Sequence, residues 1–113
     1  MRTAFVTGAS RGIGKSIALD LGKNFKVIVG FSNSQDKANK VVDEINKSGG
    51  ESLAVQLNIR DRTSVDNAFL QIEEKYDHVD ILVNNAGITK DNILPRMKAV
   101  SYTHLTLPTI YSV

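Results

Sequence analysis

Thr7-Gly8-Ala9-Ser10-Arg11-Gly12-Ile13-Gly14 decides how this chain is read. It follows an apolar run, Thr3-Ala4-Phe5-Val6, and leads into a helical pattern with Ile13, Ile17, Ala18 and Leu21 on one face. A strand, a glycine-rich turn and a helix, in that order, make a cradle for a diphosphate. The turn lets the backbone approach the ligand, and the N–H groups at the helix start bind negative charge. The glycine spacing is GxxxGxG rather than the GxGxxG of the commonest dinucleotide fingerprint.

The same alternation continues outward from that stretch. Gly22 and Asn24 supply a stop signal for the first helix. Lys26-Val27-Ile28-Val29-Gly30-Phe31 is a continuous apolar run, the pattern of a parallel strand covered on both faces. Ser34 is placed to cap a second helix, whose Ala38, Val41, Val42 and Ile45 recur at helical spacing before Gly49-Gly50 ends it. Ser52 to Leu57 reads as a third strand running into Asn58-Ile59. Asp61 caps a third helix with Val65, Ala68, Phe69 and Ile72 on its apolar stripe. Asp80-Ile81-Leu82-Val83 is a fourth strand, opening into Asn84-Asn85-Ala86-Gly87. Strands alternating with amphipathic helices at this spacing predict an α/β fold with right-handed crossovers and a parallel sheet.

Composition narrows the classes. With 113 residues, 42% hydrophobic and 23% charged, the chain suits one globular domain and not two. The absence of cysteine excludes disulfides, thiolate metal sites and cysteine nucleophiles. A net charge of +2, with 14 basic and 12 acidic side chains interleaved, gives no basic stripe for nucleic acid. In the second helix Lys37, Lys40 and Lys47 lie among Asp36, Asp43 and Glu44, which is a solvated face and not a membrane-binding one. His78 and His104 lie far apart without carboxylate clusters, so no metal site is expected. No signal region or apolar run of transmembrane length is present, and a cytoplasmic protein is the expectation.

The regular pattern ends before the chain does. From Ala99 to Val113 there is no Asp, Glu, Lys or Arg, no amphipathic helical period, and Pro108 interrupts any helix. Residues 99–113 are therefore expected to be an irregular tail and not a domain.

The pair Thr7 to Gly14 and Asn84-Asn85-Ala86-Gly87, each after its own strand, resembles the short-chain dehydrogenase/reductase family over residues 1 to about 98. Ile81 to Asn92, continued by Ile93-Leu94-Pro95-Arg96-Met97, looks like its bacterial members that reduce 3-oxoacyl-[acyl-carrier-protein] or acetoacetyl-CoA thioesters. The resemblance implies the N-terminal half of a Rossmann-like doubly wound sheet, about four strands and three helices, as a partial NAD(P)-binding domain over 1–98. It also implies a place in fatty acid biosynthesis. In it Gly8 permits a tight turn, Gly12 brings the backbone near the diphosphate, and Gly14 lets the helix pack closely on the strand. Ser10 and Ile13 belong to the same loop. Asn58 and Ile59 stand where family members hydrogen-bond the adenine amino group. Asn84, Asn85, Ala86 and Gly87 brace the central strands and line the cofactor's ribose side. Tetramers are usual in the family, built by helices beyond the match.

Cofactor preference has a physical argument. NAD-specific relatives of this fold hold the adenosine ribose with a carboxylate at the end of strand two, about 20 residues beyond the glycines. Here that place is Gly30-Phe31-Ser32-Asn33, and the first acid is Asp36. No carboxylate repels a 2′-phosphate, Arg11 offers it a guanidinium, and Ser32 and Asn33 add neutral hydrogen bonds. NADP(H) is expected over NAD(H).

The family's chemistry is hydride transfer to a carbonyl, protonated by a tyrosine whose pKa is lowered by a lysine four residues on. Every tyrosine here fails that spacing. Tyr76 is followed four places on by Asp80 and Tyr102 by Thr106, and Tyr111 lies at the end. No catalytic residue is assigned. The abrupt end of the likeness favours the N-terminal part of a reductase joined to an unrelated tail over a natural short nucleotide-binding module. In a 3-2-1-4 strand order, strand four would be an exposed apolar edge, and aggregation or marginal stability is expected from it.

Overall fold

The structure, a computed structural model, describes residues 2–58, 61–76, 79–85 and 109–112. Along the chain it forms β1 (Thr3–Val6), α1 (Gly12–Leu21), β2 (Lys26–Phe31), α2 (Gln35–Lys47), β3 (Ser52–Gln56), α3 (Arg62–Lys75), β4 (Ile81–Asn84) and β5 (Thr109–Ser112). The strands make one sheet in the order β3-β2-β1-β4-β5, and every neighbouring pair is parallel. The four-strand, three-helix alternation over the first 85 residues is the one the periodicity predicts.

Strand residues alternate between two cores, because successive side chains leave a strand on opposite faces. Phe5, Ile28, Val55 and Leu82 point to one side, where Val65, Ala68, Phe69 and Ile72 of α3 cover them. There the Phe5 and Phe69 rings meet edge to face, 5.9 Å between centroids. Val6, Val27, Val29, Phe31 and Val83 point to the other side, under Ala18 of α1 and Ala38, Val41 and Ile45 of α2. Burying each large apolar side chain contributes about 1.5–3 kcal/mol, and both faces of the central strands are used. That double burial is why β2 reads as a continuous apolar run.

The helix ends show which sequence signals act as expected. The Asp61 carboxylate accepts the Thr63 N–H at 3.0 Å and the Ser64 N–H at 3.4 Å, so it caps α3. Ser34 stands at the cap position of α2 but makes no side-chain capping bond, and Asp36 supplies negative charge in the first turn instead. Gly22 follows α1 with φ −59°, a right-handed conformation. Packing explains the glycine: a Cβ there would lie 2.9 Å from Ile45 Cγ2. Gly49, at φ +90°, is the left-handed exit from α2.

One expectation is corrected. β4 is not an edge strand, because β5 pairs with it in register Ile81↔Thr109 to Asn84↔Ser112. Its first ladder bond runs from the Thr109 N–H to the Asp80 carbonyl, 2.9 Å. Thr109-Ile110-Tyr111, β-branched and aromatic, has the composition that suits a strand even within an uncharged tail. Among the described strands, β5 is the last on that side of the sheet. No described helix is long and apolar enough to cross a membrane.

Candidate functional site

All four of the first strands run the same way, so their C-terminal ends deliver four connections to one edge of the sheet. Thr7–Arg11 follows β1, Ser32–Asn33 follows β2, Asn58 follows β3 and Asn85 follows β4. The chain winds to one side of β1 through β2 and β3, then returns to its other side at β4. Such a reversal opens a crevice at the carboxyl ends of the strands, where open α/β sheets bind ligands.

The loop after β1 has the geometry its glycines permit. Gly8 and Gly12 both adopt φ +62°, in the left-handed region that favours glycine. A Cβ on Gly12 would meet nothing within 4 Å, so that backbone borders open space. Gly14 is the opposite case. It is buried at the foot of α1, and a Cβ there would run into the Gly8 carbonyl oxygen and the Asn85 amide nitrogen. One glycine keeps room for a ligand, and the other lets the helix sit against its own loop.

The second motif holds the first. The Thr7 N–H donates to the Val83 carbonyl at 3.0 Å, extending the β1–β4 ladder into the loop. The Thr7 hydroxyl, 1% exposed, accepts the Asn85 N–H at 3.0 Å and lies 3.4 Å from the Val83 carbonyl. The Asn85 side-chain amide donates to the Gly8 carbonyl at 3.1 Å. On the β2 side, the Ala9 N–H donates to the Gly30 carbonyl at 2.8 Å. The loop is therefore fixed from both neighbouring strands before any ligand arrives.

Charge around the crevice favours an anion. Arg11 sits at the cap position of α1 in extended conformation and makes no side-chain capping bond, and the first turn of α1 holds no acid. No side-chain cap and no acid of its own first turn thus offset the positive end of that helix dipole, in contrast to α3 with its Asp61 cap. Arg11 and Gly12 are exposed, Ser10 is half-buried, and Ile13 is 64% exposed beside them. Ser32 and Asn33 are exposed just past β2, and Asp36 lies beyond them in the first turn of α2.

Asn58 serves the approach to α3 through its backbone. Its N–H donates to Ser64 Oγ at 3.0 Å, and its carbonyl accepts the Asp61 N–H at 3.0 Å. Its side chain is exposed beside a polar cleft of about 380 Å³ that Asn67 and Gln71 also line. Ile59, Ala86 and Gly87 lie outside the described residues. Among the described residues no group of His, Asp or Glu is placed to hold a metal.

Two contributors escaped the list of site residues read from the sequence. Thr7 was only the first letter of the motif, and its buried hydroxyl turns out to join the two motifs. Gly30 reads from the sequence as part of an apolar strand and of the strand end weighed for the ribose, and its carbonyl anchors Ala9. A glycine inside an otherwise bulky strand was the available signal.

A family model described as short chain dehydrogenase matches residues 2–106. A 3-oxoacyl-[acyl-carrier-protein] reductase FabG from Staphylococcus epidermidis is 50% identical over 98 residues, covering 86% of this chain and 40% of that protein. The FabG of Escherichia coli is 41% identical over 97 residues, covering 86% of this chain and 38% of that protein. The crystal structure of a short chain dehydrogenase from Burkholderia cenocepacia in complex with NADP superimposes with a TM-score of 0.80 at 31% identity. That match covers 98% of this chain and 54% of the other. The chain thus spans about two fifths of the length of the curated relatives it matches.

Proposed function

This chain belongs to the short-chain dehydrogenase family, and we propose that it is the cofactor-binding N-terminal part of an NADPH-dependent, cytoplasmic reductase of 3-oxoacyl thioesters. The relatives named 3-oxoacyl-[acyl-carrier-protein] reductase support that substrate class and a role in fatty acid biosynthesis. The observation that carries the cofactor reading is the pairing of an acid-free helix start with open backbone at Gly12. The N–H groups at the start of α1, with the exposed Gly12 backbone, would hold the diphosphate. Arg11, Ser32 and Asn33 would take the adenosine 2′-phosphate, and Ile13 would cover the far side of the loop. Asn58 and Ile59 would meet the adenine, and Asn85, Ala86 and Gly87 the ribose side.

When bound, NADPH supplies the hydride for the carbonyl carbon. This chain's own residues position that cofactor and keep the loop rigid, while no Tyr-x-x-x-Lys pair in the sequence can deliver the proton. The complete enzyme takes its catalytic serine, tyrosine and lysine, its acyl contacts and its oligomeric interface from sequence outside this stretch, and the 113 residues alone bind without turning over.

Fluorescence titration of the chain with NADPH and NADH tests the reading. NADPH is expected to bind more tightly, and Arg11→Ala is expected to erase most of the difference. Tighter NADH binding, together with an Arg11→Ala variant of unchanged preference, sinks it.

A further inference from the structure

Among the described strands only β2 contains a glycine, Gly30, in the run Lys26-Val27-Ile28-Val29-Gly30-Phe31. A strand-interior glycine weakens its strand and marks a place where another backbone comes close. Conformation is not the reason for it here, since the positive-φ glycines are Gly8, Gly12 and Gly49. Crowding is. A Cβ at Gly30 would lie 2.8 Å from Phe5 Cε1, 3.0 Å from the Val6 carbonyl oxygen and 3.2 Å from Thr7 Cα.

The neighbours of that Cβ have little freedom. Phe5 is fully buried and locked edge to face against Phe69. On its far side Gly30 pairs with Val55 of β3, so β2 does not retreat from the loop. Strain at position 30 therefore passes to Val6 and Thr7, the root of the glycine-rich loop. The β1–β2 register ends at Val6↔Val29. One residue further on, the Gly30 carbonyl accepts the Ala9 N–H at 2.8 Å, and Ala9 is fully buried. Gly30 is where β2 changes from pairing with a strand to suspending the loop.

We infer that Gly30 is a positioning residue for the diphosphate loop. Its missing side chain sets the height at which Thr7 to Ala9 cross the end of β2, and so where Gly8 and Gly12 present their backbone. The inference rests on the reading of this loop as a dinucleotide site. A methyl group at position 30 lifts Thr7 by a few tenths of an ångström and stretches the bond from Ala9. Both motifs move with it, because Thr7 Oγ1 also receives the Asn85 N–H.

The test uses the full 113-residue chain, two substitutions and three readouts: NADPH affinity, thermal midpoint, and hydrogen exchange at the Ala9 amide. Gly30→Ala is expected to weaken NADPH binding about tenfold, since small misplacements of binding groups carry large penalties, and to speed Ala9 exchange. Adding Phe5→Leu removes the 2.8 Å contact. Against Phe5→Leu alone, the double variant is expected to lose less stability than Gly30→Ala loses against the parent, yet to keep the weak binding and the fast Ala9 exchange. Parent-like affinity and Ala9 protection in Gly30→Ala overturn the inference. So does full recovery of both in the double variant, which would reduce Gly30 to room for the Phe5 ring. A parent chain that binds no dinucleotide sinks the cofactor reading, and the Ala9 exchange comparison then decides the role of Gly30.

Discussion

The Asn85 side-chain amide donates to the Gly8 carbonyl at 3.1 Å, joining positions 77 residues apart at the mouth of the crevice. With the Asn85 N–H on Thr7 Oγ1, this one residue holds two successive residues of the loop. Asn85→Ala removes the side-chain bond and leaves the backbone one, and it is expected to cost about 1 kcal/mol of stability and to weaken dinucleotide binding. Asn85→Asp is expected to be worse than Ala, because it turns an acceptor toward an acceptor. Urea unfolding of the two variants decides the order, and an Asp variant as stable as the parent would show the bond to be unimportant.

Gly12 and Gly14 separate binding from folding. A methyl group on Gly14 collides with the Gly8 carbonyl, and overpacking of this kind typically costs 1–3 kcal/mol, roughly. Gly14→Ala is expected to lower the melting temperature sharply. Gly12→Ala points its methyl into open space and bears only the left-handed strain at φ +62°, about 1 kcal/mol. It is expected to fold and to lose most of its affinity for dinucleotide. Equal losses of stability in the two variants would contradict this division.

Much of the fold was legible because two periodicities act separately. Apolar runs such as Val27 to Val29 and helical stripes such as Ala38, Val41 and Ile45 each find the layer they imply. β5 was hidden because four residues in an uncharged tail carry no period, and pairing with β4 decides their state. In the site, Gly8, Gly12 and Gly14 announced themselves by spacing. Gly30 and the Thr7 hydroxyl did not, since their roles depend on which strands become neighbours. Gly22 shows the reverse case: it marked the helix end correctly, for a packing reason that no local signal contains.

The exposed end of β2 sets the choice between cofactors, on the reading given above. Ser32 is exposed there, and no acid stands between it and Asp36. Ser32→Asp places a carboxylate where the 2′-phosphate of NADPH would lie and where the ribose hydroxyls of NADH would donate to it. NADPH affinity is expected to fall at least tenfold, about 1.4 kcal/mol, with NADH binding held or improved. Paired titrations at fixed ionic strength measure the ratio. A ratio unmoved by Ser32→Asp places the adenosine elsewhere.

Tyr76, just past α3, gives the fold a pH dependence of its own. Its ring is 5% exposed, Lys26 Nζ lies 5.6 Å from the ring centre, and Lys26 pairs with Glu51 at 3.9 Å. Burial pushes the phenol above its ordinary value of 10.0, and the Glu51 carboxylate pushes it further. The phenol oxygen has no partner in strict hydrogen-bonding geometry among the described residues, and Glu51 favours the protonated phenol by its charge first and as a nearby acceptor second. A phenol that keeps its proton longer in the folded state than in the unfolded state leaves stability intact below pH 10 and withdraws it above. The slope contributed by this one group is at most about 1.4 kcal/mol per pH unit. Tyr76→Phe is expected to match or exceed the parent at pH 7, because an unsatisfied buried hydroxyl is removed, and to lose less stability on the alkaline side. Urea midpoints of both proteins from neutral pH to well above the phenol's ordinary range give the comparison. The difference between the two curves isolates Tyr76, and parallel curves would remove it as the cause.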